Sequence, residues 1–487
     1  MMGERTVRQG ALFYGFSLED HVPADHPLRS IDRFVELSSI RRHLAPYYST
    51  VGRPSVDPEL MIRMLLIGYC CGIRSERRLC QEVHLNLAYR WFCRLGLSEA
   101  VPDHSTFSKN RHGRFRDADL LRTLFETVVL RCMAEGLVGG EGFAVDASVV
   151  RADAHRQRGV ASAAALETPN ASRAVTEYLA VLDDAAFGAA TDVAPSFISP
   201  VDPAARWTAA ASGPAFYAHC TNYLIDLKCA VIMDVEPTTA VRQAEVTAAK
   251  TMIERTAEQF GIEPERLAAD TGYGSAEMLG WLVHERGIEP HIPVFDKSAR
   301  KDGTFAREDF TYDHGADTYT CPGGKTLTTT GTLVNDDATL IYRARKRDCA
   351  ACALKPRCCP NAPMRKVPRS IHEGARDMAR DIARTEAYAV SRRERKKLEM
   401  LFAHLKRILG LDRLRLRGPL GARDEFHLAA TAQNLRKLAK LIPMPQAAAA
   451  AWSGYAPPSL LSSSTPTQSR SQTTFSTQSV KYGRTRL

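Results

Sequence analysis

The run Arg392-Arg-Glu-Arg-Lys-Lys-Leu-Glu399-Met-Leu-Phe-Ala-His-Leu-Lys406 divides into two faces when wound as a helix. At about 100° per residue, Arg392, Arg395, Glu399 and Lys406 fall within roughly 60° of one another. Leu398, Leu401, Leu405, Ile408 and Leu409 fall on a separate face about 120° away. One carboxylate therefore stands in a stripe of guanidinium and ammonium groups, over leucines that need a core to pack on. Such a stripe suits a metal-binding carboxylate brought up to a polyanion. The plainer alternative is a solvated basic face with Glu399 in ordinary intrahelical pairs. Glu394 lies about 140° round the helix on the apolar side and is the weaker rival.

The rest of the chain supplies the polyanion argument. Lys and Arg exceed Asp and Glu by 65 to 55 over 487 residues, a net charge of +10. The excess is concentrated: from Arg343 to Arg423 there are 23 basic and 8 acidic residues. That density is an electrostatic footprint for a phosphate backbone. The longest uncharged apolar stretch, Met64 to Ile73, is half a membrane span, and the N-terminus has no apolar core of a secretory signal. A cytoplasmic, nucleoid-associated protein with no membrane partner is expected. Disulfides are then unfavoured, and the 12 Cys divide into buried small hydrophobes and possible metal ligands.

Residues 1–135 read as helical. Asp57-Pro58 is an N-cap and first-turn proline, helices follow near 75–83 and 84–95, and Pro102 to Arg111 is a capped, basic helix start. Lys109 and Arg111 are its candidate DNA contacts, in an arrangement of the helix-turn-helix kind. A plain bundle with exposed arginines is the alternative. Residues 140–295 carry strands in succession and then strands alternating with helices, which predicts an α/β core with a mixed sheet flanked by helices. Residues 156–215 interrupt it as an Ala-, Pro- and Ser-rich insertion, with one helix from Ser172 to about Ala186. A polar, Cys-bearing insertion spans 296–375, and its basic part, with Arg345 and Lys346, is suited to follow DNA backbone. Helices near 383–410 and 424–441 close the core in 376–442. The tail, 443–487, reads as disordered.

Gly142-Phe-Ala-Val-Asp146 and Arg266-Leu-Ala-Ala-Asp270 both read as strands ending in aspartate. Sites collect at carboxyl ends of strands in open α/β sheets, because the backbone stops and side chains converge there. Asp146, Asp270 and Glu399 together would give Mg2+ or Mn2+ three oxygen ligands and leave positions for water and phosphate. Each Asp can equally be a turn or cap residue, and Asp153, Asp226 and Asp234 compete.

This ordered set resembles the DDE transposases of bacterial insertion sequences, more narrowly the group numbered eleven eighty-two within the assemblage around families four and five. Asp146-Ala-Ser and Ala269-Asp270-Thr-Gly-Tyr273 match the two aspartate motifs. Arg395, Glu399 and Lys406 match the closing signature, while Arg392 stands where the family has tyrosine and Tyr388 lies one turn earlier. Gly410 to Gly418, Ala432-Gln-Asn434 and Asp202-Pro-Ala-Ala-Arg206-Trp207 resemble further family segments. The resemblance implies an RNase H-like catalytic core, an all-α N-terminal DNA-binding domain over residues 26–115, and a Cys-rich insertion. It implies Mg-dependent cleavage at the element's ends and strand transfer. Arg392, Arg395 and Lys406 would sit on DNA phosphates. Double-stranded DNA, as terminal inverted repeats and target, would be the partner of a chain that is at least a homodimer in the synaptic complex. A catalytically inactive, domesticated DNA-binding protein is the alternative from a different class.

Cys321, Cys349, Cys352 and Cys358 give one CxxC pair and two outlying thiols, a possible tetrahedral Zn2+ set for a small insert without a large core. Cys359 leaves the fourth ligand open. Non-ligating reduced thiols in a loop are the plain alternative.

Overall fold

The computed structural model describes residues 16–444 except 53, 156–158, 161–170, 194, 196, 210–212, 297–299, 301, 336 and 337. The expected disordered tail falls almost wholly outside the described residues, as does much of the 156–215 insertion. The described residues from Phe16 to Pro443 belong to one compact unit.

The N-terminal region is helical because its caps are in place. Asp57 accepts from the Glu59 N–H and Pro58 opens α1 (Pro58–Cys70), which is buried along almost its whole length. Ser75 caps α2 (Glu76–Leu85), and Asn86 then caps α3 (Leu87–Phe92) through two N–H groups. That cap is why the helical run of 75–95 breaks in two. Asp103 starts α4 (His104–Arg111), and α5 (Leu120–Ala134) follows.

Among the described residues, six strands make the main sheet: β1 (Gly142–Arg151), β2 (Arg206–Thr208), β3 (Phe216–Asp226), β4 (Ile232–Thr239), β5 (Arg266–Ala268) and β6 (Glu289–His291). β2 and β4 both border β3; the order continues β3-β1-β5-β6. Pairing is antiparallel from β4 to β1 and parallel from β1 to β6, so the sheet is mixed as expected. One expectation is corrected. Asp146 is not at the end of its strand, because β1 stays paired with β3 as far as Arg151↔Ala218. What stops near Asp146 is the parallel neighbour: β5 pairs only through Ala144↔Ala268. The helix Ala276–Gly280 ends at a glycine where a side chain would collide with the His372 ring, and continues as a wider π turn over Trp281–Glu285.

Three helices position the site. α6 (Arg242–Phe260) packs on β3 and β4. α7 (Glu386–Arg407) lays Leu398, Leu401, Phe402 and Leu405 inward across β1, β5 and β6, the face its leucine spacing predicts; Leu409 is also buried, but Ile408, expected on that face, caps the helix and is exposed. α8 (Gly418–Leu441) runs between β4 and the N-terminal helices α1 and α5. Gln433 and Asn434 fix its register. Gln433 accepts from the Tyr223 hydroxyl at 3.0 Å and donates to Leu401 O, while Asn434 pairs with both backbone groups of Ile232. Before α8, the segment around Arg413 bridges the end of β1: Arg151 N–H donates to Asp412 O and Leu414 N–H donates to Arg151 O.

Residues 305–370 have their own small cluster around Phe310, Tyr319, Leu327 and Tyr342, with two three-stranded sheets. Among the described residues, no helix is long and apolar enough to cross a membrane.

Candidate active site

The geometry starts from the β1–β5 register. Phe143 faces Leu267 and Ala144 faces Ala268. Carried two residues past its last pair, that register points Asp270 towards Asp146, near enough for its charge to act on the Asp146 carboxyl. Asp270 has left the strand and turns: its carboxylate caps the short 3-10 turn Thr271–Tyr273 by accepting from Gly272 N–H at 2.7 Å. The two glycines of this turn are there for room. A side chain on Gly272 would run into the Arg242 guanidinium, and one on Gly274 into the Pro293 carbonyl.

α7 brings its charged face to the same place. Arg395 Nη1 lies 3.2 Å from Asp146 Oδ2, and its Nη2 lies 3.9 Å from Glu399 Oε1. The two carboxylates thus share one guanidinium, Asp146 largely covered and Glu399 60% exposed. Arg392 is exposed on the same stripe. Lys406 is half-buried near the Cys220 thiol and Asp412, and burial lowers its pKa. Tyr388 places its ring 6.3 Å from that of His291, at the outer edge of the sheet.

Electrostatically the spot is short of cations. Burial pushes the Asp146 carboxyl up to about 6, and Asp270 and Glu245 add to the rise. The Ala147 N–H, 2.8 Å from Oδ1, and Arg395 act against it. Glu245 itself was not among the expected site residues. It sits in the first turn of α6, accepts from the Cys220 thiol at 3.2 Å, and is raised by burial and by Asp270. A first-turn glutamate reads as a helix-dipole residue in sequence, so its only signal was its place just after a β-hairpin. Arg242 joins it to the cluster, 3.5 Å from Glu245 and 3.7 Å from Asp270. Among the described residues, no three His, Cys, Asp or Glu side chains already stand in a metal-holding arrangement. Around the aspartates, arginines fill the gaps between carboxylates.

The competing acids have other partners. Asp153 pairs with Arg413 and Arg417; Asp226 accepts from the N–H groups of Gly139, Gly140 and Lys228. Asp234 is buried between Arg122 and Arg255, and Glu394 pairs with Lys397.

The basic residues expected on DNA divide. Lys109, Arg345 and Lys346 are exposed. Arg111 is turned inward, 5% exposed and ion-paired with Glu76, so its charge is neutralised inside the fold. The cysteines come together more than their spacing required: Cys321, Cys349, Cys352, Cys358 and Cys359 all line one small cavity. Gly323 lies beside two of them, where a Cβ would be at ordinary van der Waals distance from Cys352 Sγ and Cys321 Sγ.

Two family models match the chain: residues 16–113 match a transposase domain (DUF772), and residues 320–439 match a transposase DDE domain. No curated protein and no solved structure matches. The two domains indicate a DNA transposase of the DDE class, and transposase domains imply DNA as partner. Glu399 and the cysteine cavity fall inside the second match; Asp146 and Asp270 lie between the two.

Proposed function

We propose that this chain, with its two transposase domains, cuts the ends of a bacterial insertion sequence of the group numbered eleven eighty-two and joins them to target DNA. The observation that carries the reading is the register that points Asp270 towards Asp146, at the arginine that also reaches Glu399. Antiparallel β1, β3 and β4 followed by parallel β5 and β6, with the short β2 on the edge of β3 and helices on the sheet, support an RNase H-like core.

Asp146, Asp270 and Glu399 would hold Mg2+ or Mn2+. The donor set fits a hard divalent cation: carboxylate oxygens only, in a place where burial and mutual repulsion leave Asp146 wanting positive charge. When bound, the cation supplies neutralisation of phosphate charge and a lowered pKa for the attacking water or hydroxyl. The chain's own part is positioning. An incoming phosphate competes with Glu399 for Arg395, so DNA frees that carboxylate as it docks. Arg392 and Lys406 hold neighbouring phosphates on the same helix face. In the first displacement a water oxygen bonds to phosphorus and the 3′ oxygen of the element's end leaves. In the second, that 3′ oxygen bonds to a target phosphorus and a target 3′ oxygen leaves. Each step makes one P–O bond and breaks one.

Lys109, Arg345 and Lys346 follow the backbone, the N-terminal helices recognise terminal inverted repeats, and pairing of two ends calls for a homodimer in the synaptic complex. The thiols of Cys321, Cys349, Cys352 and Cys358, with Cys359 in reach, suit a structural Zn2+.

A labelled terminal repeat incubated with Mg2+ tests this. Wild type should give cleaved and then joined product, and Glu399→Gln about a thousandfold less. Binding without cleavage in both would identify a domesticated DNA-binding protein, and cleavage without joining a nuclease.

A further inference from the structure

Three carboxylates, not two, crowd the inner side of this site. Glu245 is 17% exposed, against 60% for Glu399, and the same Arg242 guanidinium holds it to Asp270. Its other oxygen takes the Cys220 thiol. A second and separate sign points to a missing occupant. The Tyr273 hydroxyl is fully buried, has no hydrogen-bond partner, and lies within electrostatic reach of Glu245, Asp146, Asp270 and Cys220. A buried hydroxyl left unpaired forfeits its solvation with nothing in return. Here it sits among acceptors that Arg242 and Arg395 keep turned to themselves. Arg242 is 56% exposed on a long flexible stem, so it can leave without disturbing the core. Glu245 cannot leave: the helix carrying it is packed on β3 and β4.

We infer that Glu245 is a fourth carboxylate of the cation site, joining Asp146 and Asp270 to hold the divalent ion in the free protein, with Glu399 adding its oxygen once DNA has taken Arg395. The Tyr273 hydroxyl then donates to a carboxylate oxygen or to water at the ion. This rests on the reading of the site as a cation-dependent transposase centre.

Mn2+ binding to the full chain without DNA, followed by the spin-resonance signal of free Mn2+, tests it apart from activity. Glu245→Gln should weaken binding at least tenfold, and Glu245→Asp should recover part of the loss. Glu399→Gln should change it by less than threefold, and Asp146→Asn should abolish it. Circular dichroism melts check that each variant is folded. Should Glu245→Gln melt early, Glu245→Asp alone decides: affinity between wild type and Asp146→Asn supports the fourth ligand, and wild-type affinity overturns it. Wild-type affinity in a folded Glu245→Gln also overturns the inference while Asp146→Asn keeps the transposase reading standing. A wild type that binds no Mn2+, or an Asp146→Asn that binds normally, overturns both.

Discussion

Arg74, Arg111, Arg116 and Arg122 on or beside the N-terminal helices face inward, whereas Arg392, Arg393 and Lys396 on α7 face solvent. The inward set meets buried acids. Arg74 pairs with Glu425, Arg116 with Glu177 at 2.6 Å and Asp424 at 3.0 Å, and Arg122 with Asp234. The outward set has few acids in reach, and Arg395, half-buried beside it on the same helix, rests on the site itself. Two basic regions of similar appearance in sequence thus differ in use. One set is internal mortar between helices and sheet; the other stays in solvent, where the proposed reading puts phosphate. What separates them is the presence of an acid across the packing seam, 35 residues away for Arg111 and 351 for Arg74.

The contrast can be broken in order of effect. Asp270→Asn should lower cleavage about a thousandfold while leaving the urea midpoint in place; a shifted midpoint would make the site part of the mortar. Glu425→Gln should do the reverse. Its fully buried carboxylate holds Arg74 and the N–H groups of Arg415 and Leu416. Breaking a buried pair of this kind costs about 3–5 kcal/mol, read by urea unfolding, with DNA affinity per folded molecule retained.

The pH response of the site comes next. With Asp146 raised to about 6 by burial, protons compete with the cation below that pH. Cleavage at limiting Mg2+ should fall about tenfold per pH unit there, and more Mg2+ should move the midpoint down. By linkage the same carboxyl favours the folded chain in acid: that contribution is present below its unfolded value and lost as pH rises through 6. A flat profile would mean that Asp146 is not at the ion. Least in size, Arg392→Ala should reduce the salt dependence of DNA binding by about one unit of slope, with stability changed by less than about 0.5 kcal/mol. An equal loss of stability would erase the difference between the two arginine sets.

Much of this core was open to reading. The leucine face of α7, Asp270 at the end of β5 and the mixed sheet follow from local periodicity, which is where side-chain pattern and backbone agree. What was not legible is non-local. Nothing near Arg111 announces Glu76 as a buried partner, so a basic helix end looked like a DNA contact. Asp146 looked like a strand terminus because its own motif resembles that of Asp270, while β3, some 75 residues on, extends β1 beyond it. Glu245 was hidden because an acid in a first helical turn already has a local explanation.

The bridge from Arg151 to Asp412 and Leu414 ties the catalytic strand to polypeptide made more than 250 residues later. Glu425 closes on Arg74 from farther still. During synthesis, then, the surroundings of Asp146 stay unfinished until the segment beyond Leu414 has emerged. A product cut short before Asp412 would lack this bridge even with Asp146 and Asp270 present.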